Sequence, residues 1–294
     1  YRHIRTSKEI IRNLLNDYDK IFHRTYRRQK DIFMKRIEEV LNVDEVYTMV
    51  EEGVTKPLKV RLGNGEEAIV KYPNNNCGNQ VLLNEFVCGC IAQEIGINVP
   101  PFGVCQLSDE IIETLPYEWG LDVENAGLCF FSKLITSSIP VTFGTLSVVD
   151  DPSFNLARLI VFDHLICNRE RHDGNMIIEM GKGQNYLYAI DHGTIFTTGV
   201  RYDARSLQEE IKDTRIFDSS IMSANEKMYK CLASRFACSN QEIEKQCKEM
   251  KAAVDDDILK KIKENVPNEW IKMAESDTIE RLTNAICKRR DKLD

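Results

Sequence analysis

Apolar and polar positions follow two different patterns in the first quarter of the chain. Over residues 1–45 the apolar positions recur at helical spacing, and Thr6 with Glu9 is typical of a capping box, so we predict a helical front end. From residue 46 onward the apolar runs are short and separated by turn residues, which is typical of strands. The predicted strands cover 46–50, 58–62 and 68–72, with an Asn-Gly turn at 64–65.

A helix, one more strand and a hairpin follow this small sheet. The run 80–96 predicts a helix that ends at Gly96, ahead of two prolines. The apolar run 126–135 predicts a further strand. The runs 175–180 and 185–190 are joined by a short polar turn, which predicts a hairpin.

These elements predict an α+β architecture. Helix follows sheet without the strand, helix, strand repeat that a parallel sheet needs. We expect a basic helical extension at 1–45, a small lobe with an antiparallel sheet at 46–135, and a larger, mainly helical lobe at 136–294. Trp270 is expected to anchor the last helices to the larger lobe.

Composition narrows the class of protein. With 294 residues, 43% apolar and 29% charged, the chain is typical of globular proteins, and no apolar run reaches the roughly 18 residues that a membrane span needs. The ten cysteines lie mostly in apolar segments and none has a C-x-x-C spacing, which favours buried thiols in a reducing compartment. We therefore expect a cytoplasmic protein without membrane contact.

The charge is unevenly distributed. Residues 1–40 hold eleven Lys or Arg against six Asp or Glu, although the whole chain has a net charge of −7. The basic front end is predicted to pack as a helix on the acidic remainder. Contact with an anionic partner is the alternative, and nucleic acid is expected to be contacted only indirectly, if at all.

The predicted helix at 80–96 carries an acid on its apolar face. Glu85 shares that face with Leu82, Phe86 and Gly89, which should meet the sheet. A lone buried charge is costly, so Glu85 needs a partner, and Lys71 at the end of the preceding strand is the obvious one.

Residues 168–175, "NRERHDGN", place more charge between two apolar runs than a turn requires. In phosphoryl-transfer enzymes of the kinase type, a catalytic acid stands five positions before a metal-binding Asn, and a metal-binding Asp follows a short hairpin. Glu170 and Asn175 have this spacing, and Asp191 with Gly193 follows the predicted hairpin as Asp-x-Gly. The oxygen ligands of Asn and Asp suit Mg²⁺.

The chain resembles the HipA-like kinases, in particular their shorter single-chain branch, and more distantly the phosphatidylinositol kinases. The resemblance runs from about residue 46 to the end, and its motifs are "GVTKPLKVRLGNGEEAIVKY", "VLLNEFVCGCIAQEIGINVPP", "FFSKLI", "VFDHLICNRERHDGNMII", "LYAIDHGTIF" and "VPNEWI" with "ICKRRDKL". It implies a bilobed protein-kinase-like fold, ATP and Mg²⁺ as cosubstrates, and phosphorylation of Ser or Thr on protein targets. Such kinases are often the toxin of a toxin–antitoxin or defence system, so an antitoxin or other regulatory protein is an expected partner.

The resemblance also assigns roles to residues. It implies Lys71 for phosphate contact with Glu85 as its partner, and Asn175 and Asp191 for magnesium. Further nucleotide contacts are expected from the loop between the first two strands and from the end of the strand at 126–135; the residues are Gly53, Val54, Thr55, Lys133 and Leu134.

One position departs from the family pattern, because Glu170 stands where the catalytic Asp is expected. Glutamate keeps the charge but is one methylene longer, and a misplacement of about 1 Å can cost about 10²-fold in rate. We expect reduced but real activity, with Asp173 as a nearby carboxylate that can compensate. The alternative is a weak or inactive nucleotide-binding pseudokinase that acts as an interaction module, and a lipid or small-molecule kinase is a further alternative.

Other site classes fit the sequence less well. There is no Walker A sequence and no G-x-G-x-x-G. A metal-dependent HD hydrolase would use His172 and Asp173 with His164 and Asp191, but Gly174 and a predicted strand follow His172 and Asp173 at once. We expect His164 to be a core histidine and His172 to brace the loop.

Overall fold

The computed structural model describes residues 39–181, 183–196, 207, 216–274 and 277–293. The helix and the basic side chains predicted in the front end lie almost wholly outside these residues. The structure therefore does not test them, and the division into lobes at residue 135 also stays a prediction.

Five strands form a closed barrel in the first half of the described chain, in the order β1-β2-β3-β5-β4. Their bounds are β1 Leu41–Met49, β2 Leu58–Leu62, β3 Glu67–Lys71, β4 Phe102–Leu107 and β5 Gly127–Lys133. Four of the pairings are antiparallel, whereas β1 and β4 pair in parallel through Leu41 with Cys105 and Asn42 with Gln106. This pairing closes the barrel and explains why β1 begins five residues before the predicted start.

Strand β4 was not predicted from the sequence. Five of its six residues are buried, so it lacks the alternation of apolar and polar positions by which a half-exposed strand is recognised. The barrel interior is filled by apolar side chains of all five strands, and Leu58, Val60, Leu62, Ala68 and Val70 are fully buried.

Helix α1, Gln80–Glu94, is buried from Val81 to Ala92. Phe86 on this helix packs edge-on against Phe102 of β4 and against Trp270, with ring centroids 6.1 Å and 5.9 Å apart. A Cβ atom at Gly89 would lie 2.7 Å from the Phe102 ring, so the close approach of α1 to β4 requires glycine there.

Trp270 attaches the last helices to a different part of the molecule from the predicted one. Its indole Nε1 donates a hydrogen bond of 2.7 Å to the Leu128 oxygen on β5, and its ring packs on Phe86. It therefore anchors the last helices to the barrel and to α1. A buried indole N–H needs an acceptor, and the Leu128 carbonyl of the barrel provides one.

The second half contains a small sheet and most of the helices. Strands β6 Ser138–Pro140, β7 Met176–Met180 and β8 Asn185–Ala189 form a three-stranded sheet in that order, which contains the predicted hairpin. The helices after α1 are α2 Asp109–Ile112, α3 Leu156–Leu165, α4 Ser219–Ala233, α5 Asn240–Ala253, α6 Asp256–Glu264, α7 Asn268–Met273 and α8 Thr278–Arg290. Apolar residues of α3, α4 and the sheet form a shared core.

Within the described part of the chain, no helix combines the length and the apolar character that crossing a membrane requires. Cys88, Cys90, Cys129 and Cys167, which the sequence placed in apolar segments, are buried.

Candidate active site

Lys71, the last residue of β3, lies between two carboxylates. Its ammonium group contacts the Glu85 carboxylate of α1 directly, and its Nζ lies 2.7 Å from Oδ1 of Asp191, just after β8. The side chains of Lys71 and Glu85 are only 8% and 5% exposed, whereas that of Asp191 is 49% exposed. The predicted ion pair of Lys71 and Glu85 is thus present, and we call the three residues the outer cluster.

The backbone of the segment after β8 is held against α1 by hydrogen bonds to two α1 side chains. The N–H of His192 donates to Oε2 of Glu85 at 3.0 Å, and Asn84 Nδ2 donates to the Gly193 oxygen at 2.8 Å. A Cβ atom at Gly193 would lie 3.1 Å from Glu85 Oε1 and 3.3 Å from Lys71 Nζ. The glycine of the Asp-x-Gly motif therefore leaves the space that this ion cluster occupies.

The charges of the outer cluster shift one another's titration. Burial alone would lower the pKa of Lys71, but the Asp191 and Glu85 carboxylates outweigh it and raise that pKa above its ordinary value. Lys71 also holds the pKa of Asp191 below its ordinary value. Burial raises the pKa of Glu85 against the attraction of Lys71, and the negative charge of Asp191 raises it further. At neutral pH Asp191 is thus a half-exposed anion.

The loop 168–175 turns its charged residues in opposite directions. Arg171 is 1% exposed, whereas the side chain of Glu170 points to solvent and makes no hydrogen bond or ion pair within the described chain. Asn175 lies at the end of the loop, where its Nδ2 donates to the backbone carbonyl oxygen of Glu170 at 2.8 Å. Its own carbonyl accepts from the N–H of Ile190, next to Asp191, at 3.1 Å. The hairpin therefore brings the backbone of Asn175 beside that of Asp191.

A second group of polar side chains lies on the buried side of the same loop. Both carboxylate oxygens of Asp163 on α3 bind Arg171, with Nη2 to Oδ1 at 2.8 Å and Nε to Oδ2 at 3.2 Å. Asn168 Nδ2 and the Tyr229 hydroxyl donate to the same carboxylate, both at 2.9 Å. Asn225 on α4 completes the group, which we call the inner network: Asp163, Asn168, Arg171, Asn225 and Tyr229.

His192 joins the two groups. Its backbone N–H belongs to the contact with Glu85, and its Nε2 lies 3.2 Å from Nη2 of Arg171. A guanidinium group only donates, so Nε2 accepts and the ring proton of the neutral imidazole is on Nδ1. Burial, followed by the charge of Arg171, lowers the pKa of His192 well below its ordinary value, which keeps the ring neutral.

A family model of HipA-like kinases matches residues 43–291. The chain belongs to the HipA-like kinase family. Among curated proteins no match is found.

Solved kinase structures share the fold of this family member. The Helicobacter pylori proinflammatory kinase CtkA matches with a TM-score of 0.55 at 16% identity, over 86% of this chain and 95% of that one. The Golgi casein kinase, in a structure with Mn and ADP bound, matches with a TM-score of 0.51 at 11% identity, over 90% of this chain and 75% of that one. The α+β, kinase-like fold predicted from the sequence is thus confirmed.

Five predicted nucleotide contacts have other surroundings than the outer cluster. Lys133 pairs with Glu66, and Leu134 donates its N–H to the Glu67 oxygen at 2.9 Å. The loop 51–57 joins β1 to β2; its Val54 is 74% exposed, and Gly53 has a φ of 92°. Within the described chain, none of Gly53, Val54, Thr55, Lys133 and Leu134 has a hydrogen bond or ion pair to the outer cluster, and their nucleotide role stays a prediction.

The two histidines of the rival hydrolase hypothesis have local partners. His164 is fully buried in α3, and its Nδ1 lies 2.8 Å from the Ile160 oxygen. His172 accepts a hydrogen bond from the N–H of Gly174 at 3.0 Å through Nδ1, so it braces the loop as predicted. Asp173 pairs with Lys227 of α4 at 3.2 Å, which lowers the pKa of the carboxyl. These contacts give no support to a metal site of His164, His172 and Asp173.

Most residues of the inner network were not predicted from the sequence. Asp163 and Asn168 lie within or beside the apolar run 156–167, and a buried polar residue in such a run is the signal that was available. Asn225 and Tyr229 are more than 50 positions away on α4, and nothing local in the sequence connects them with the loop.

Proposed function

We propose that this member of the HipA-like family is an ATP- and magnesium-dependent serine/threonine protein kinase. The observation that carries the proposal is the contact of Lys71 with both Glu85 and Asp191. This contact joins the barrel, α1 and the segment after the hairpin at one point. A kinase site needs such a point, because a lysine and a metal-binding carboxylate must lie around the same phosphates. The fold that the chain shares with kinases is consistent with this use.

Lys71 is proposed to bind phosphate oxygens of the nucleotide. Its side chain is held by Glu85 from the protein side, and its raised pKa keeps it charged at any physiological pH. Asp191 accepts from the Lys71 ammonium group. Its carboxylate is half-exposed and can turn towards a cation. The ammonium group has three donors, so contact with Glu85 leaves donors for phosphate.

Asn175 and Asp191 fit a magnesium ion. Asp191 supplies an anionic, accessible oxygen, and Nδ2 of Asn175 is already engaged with the Glu170 carbonyl, which leaves the amide Oδ1 as the ligand atom. Two hard oxygen ligands suffice for Mg²⁺, which usually keeps several waters and shares phosphate oxygens. When bound, the ion would neutralise charge on the phosphates.

Glu170 is proposed to orient the acceptor hydroxyl of the substrate and to accept its proton. Its side chain is exposed and without a partner in the described chain, so it is accessible to a hydroxyl group of a Ser or Thr. The extra methylene compared with Asp favours the second candidate function, that of a weak or inactive nucleotide-binding pseudokinase. The choice between these two depends on where the Glu170 carboxylate stands.

The substrate is proposed to be a protein, and an antitoxin or other regulatory protein is proposed as a partner. Both follow from the family resemblance alone. The five nucleotide contacts in the loop 51–57 and at residues 133–134 belong to the same proposal, as does a cytoplasmic location.

Purified protein incubated with γ-labelled ATP and Mg²⁺, with and without cell lysate, tests the proposal. A kinase transfers label to protein Ser or Thr, whereas a pseudokinase binds ATP without transfer. In the same preparation, ATP with Mg²⁺ should raise the melting temperature, since a ligand that binds only the folded state stabilises it. Asp191→Asn should lose most of the magnesium-dependent part of this shift, and a full shift in that variant would contradict the proposed metal role.

A further inference from the structure

The backbone that carries Glu170 is held from α4. Asn225, which is fully buried, accepts a hydrogen bond from the N–H of Arg171 through Oδ1 at 2.9 Å. Its Nδ2 donates to the carbonyl oxygen of Asn168 at 2.8 Å. The single carboxamide of Asn225 therefore binds the backbone immediately before and immediately after residues 169–170.

These two backbone groups are the ones that bond to each other in an ordinary four-residue turn, where the first carbonyl accepts from the fourth N–H. In residues 168–171 both groups bond to the Asn225 side chain instead. The carboxamide thus occupies the place of the turn hydrogen bond and keeps the turn open, with Glu170 as its third residue. Without Asn225, the carbonyl and the N–H would be two unsatisfied buried groups, and direct bonding between them would relieve that cost by closing the turn.

Helix α4 also holds the residues on both sides of Glu170. Arg169 donates to Ser220 Oγ at 3.2 Å and to Asp218 at 3.3 Å, and Asp173 pairs with Lys227. The side chain of Glu170 points to solvent instead. The N–H and the carbonyl of Glu170 itself bond within the loop, to the side chains of Asn168 and Asn175. Helix α4 therefore fixes the backbone on both sides of the proposed catalytic carboxylate.

We propose that Asn225 is a positioning residue for Glu170, acting through the open turn 168–171. The inference rests on the proposed role of Glu170. It goes beyond that role because it makes turnover depend on a buried amide of helix α4, outside the loop that carries Glu170. A shift of the loop by about 1 Å would cost about 10²-fold in rate.

Steady-state transfer from γ-labelled Mg·ATP to dephosphorylated casein measures the effect of Asn225→Ala. We expect kcat to fall by about 10²-fold while KM for ATP stays within about twofold, because the outer cluster is unchanged. Asn225→Asp is the second variant; it keeps the shape and the acceptor for Arg171 but places an oxygen against the Asn168 carbonyl, and it should also lose kcat. If neither variant keeps the ATP-induced melting shift, Asn225 serves the fold as a whole and the inference is wrong.

Tyr229→Phe is the matched control. It removes a buried hydroxyl that donates to Asp163 and accepts from Asn225 at 3.1 Å, but it leaves both bonds of Asn225 to the loop in place. We expect Tyr229→Phe to lower the melting temperature as Asn225→Ala does and to keep kcat within about threefold. An equal loss of kcat in both variants would show that stability of the network, and not the position of Glu170, explains the effect.

The double variant Glu170→Gln with Asn225→Ala separates this inference from the proposed function. If Asn225 acts through Glu170, the double variant should be no slower than Glu170→Gln alone, because the group being positioned is already inactive. Multiplying losses would overturn the role of Asn225 while leaving that of Glu170 intact. If Glu170→Gln alone transfers phosphate at the wild-type rate, the proposed role of Glu170 itself fails.

Discussion

The outer cluster and the inner network, which His192 joins, compensate their buried charges in two different ways. The inner network pairs one anion with one cation, and four hydrogen bonds fill the Asp163 carboxylate. The outer cluster has one cation, Lys71, for two carboxylates, and one of them is 49% exposed. A buried and neutral network with satisfied hydrogen bonds has nothing left to bind a ligand, whereas a cluster with surplus negative charge at its open side can take up a cation.

The same chemical change in each group should have opposite results, and Asp163→Asn gives the largest expected effect. It leaves the Arg171 guanidinium, which cannot lose its proton, buried without a counter-charge, so we expect a loss of about 3–5 kcal/mol in the free energy of unfolding. Asp191→Asn removes a half-exposed partner from a lysine that keeps Glu85, so we expect a loss of only about 0–1 kcal/mol. Urea denaturation of both variants measures the difference.

The order of the two variants should be reversed for function, where Asp191→Asn should have the larger effect. Asp191→Asn should be folded but inactive, whereas any Asp163→Asn protein that remains folded should still bind ATP. Equal losses of stability in the two variants would contradict the distinction between a structural and a ligand-binding group of charges.

The loop 168–175 contributes Arg171 to the inner network and exposes Glu170 to solvent. Glu170→Gln tests the exposed side of this loop. The variant removes charge at nearly constant shape, so we expect turnover to fall by about 10²-fold, at the lower end of what a general base supplies. ATP affinity should stay near the wild-type value, because Lys71 and the proposed metal ligands are untouched. Glu170→Asp restores the family residue and should keep or raise the rate. A wild-type rate in Glu170→Gln would mean that Glu170 is a surface carboxylate without a catalytic role.

The outer cluster could be predicted from sequence, and the inner network could not. Lys71 and Glu85 are 14 positions apart on consecutive elements, and Asp191 follows a hairpin whose turn is visible in the sequence. Local patterns and one electrostatic argument, that a buried acid needs a partner, therefore sufficed for the pair. The inner network depends on the docking of α4, and its contacts join residues 54 and 66 positions apart. Long-range packing of this kind leaves no periodic signal.

The same limit applies to the fold. Strands β2 and β3 were predicted to within one residue because turns bound them on both sides. Strand β4 was missed because burial on both faces removes its alternation, and the parallel pairing that closes the barrel depends on β4.

The surplus charge of the outer cluster should appear in the pH dependence of stability. Burial and the negative charge of Asp191 raise the pKa of Glu85, and Lys71 lowers it; the net result is a pKa of about 7 instead of 4.5. A carboxyl with a raised pKa binds more protons in the folded than in the unfolded state between these values, so its contribution to stability increases as pH falls from about 7 to about 4.5. As pH falls through this window, we expect the free energy of unfolding of the metal-free wild-type protein to increase relative to that of Glu85→Gln by on the order of 1–3 kcal/mol.

Denaturation of both proteins at several pH values measures this difference, since all other titrating groups are common to the two. A difference that stays constant with pH would mean that Lys71 keeps Glu85 ionised throughout. The outer cluster would then be as tightly paired as the inner network.

The smallest effect is expected for Asp173→Asn, on the exposed edge of the loop. Asp173 and Lys227 are 51% and 82% exposed, and exposed ion pairs contribute about 0–1 kcal/mol, so the free energy of unfolding should hardly change. Lys227 also holds the carboxylate away from the role that Glu170 is proposed to have, so the transfer rate should fall by less than about twofold. The measurement is the phosphate-transfer rate beside that of Glu170→Gln. A fall as large as in Glu170→Gln would instead give Asp173 the compensating role suggested by the sequence, and the two carboxylates would have to be treated as one acceptor site.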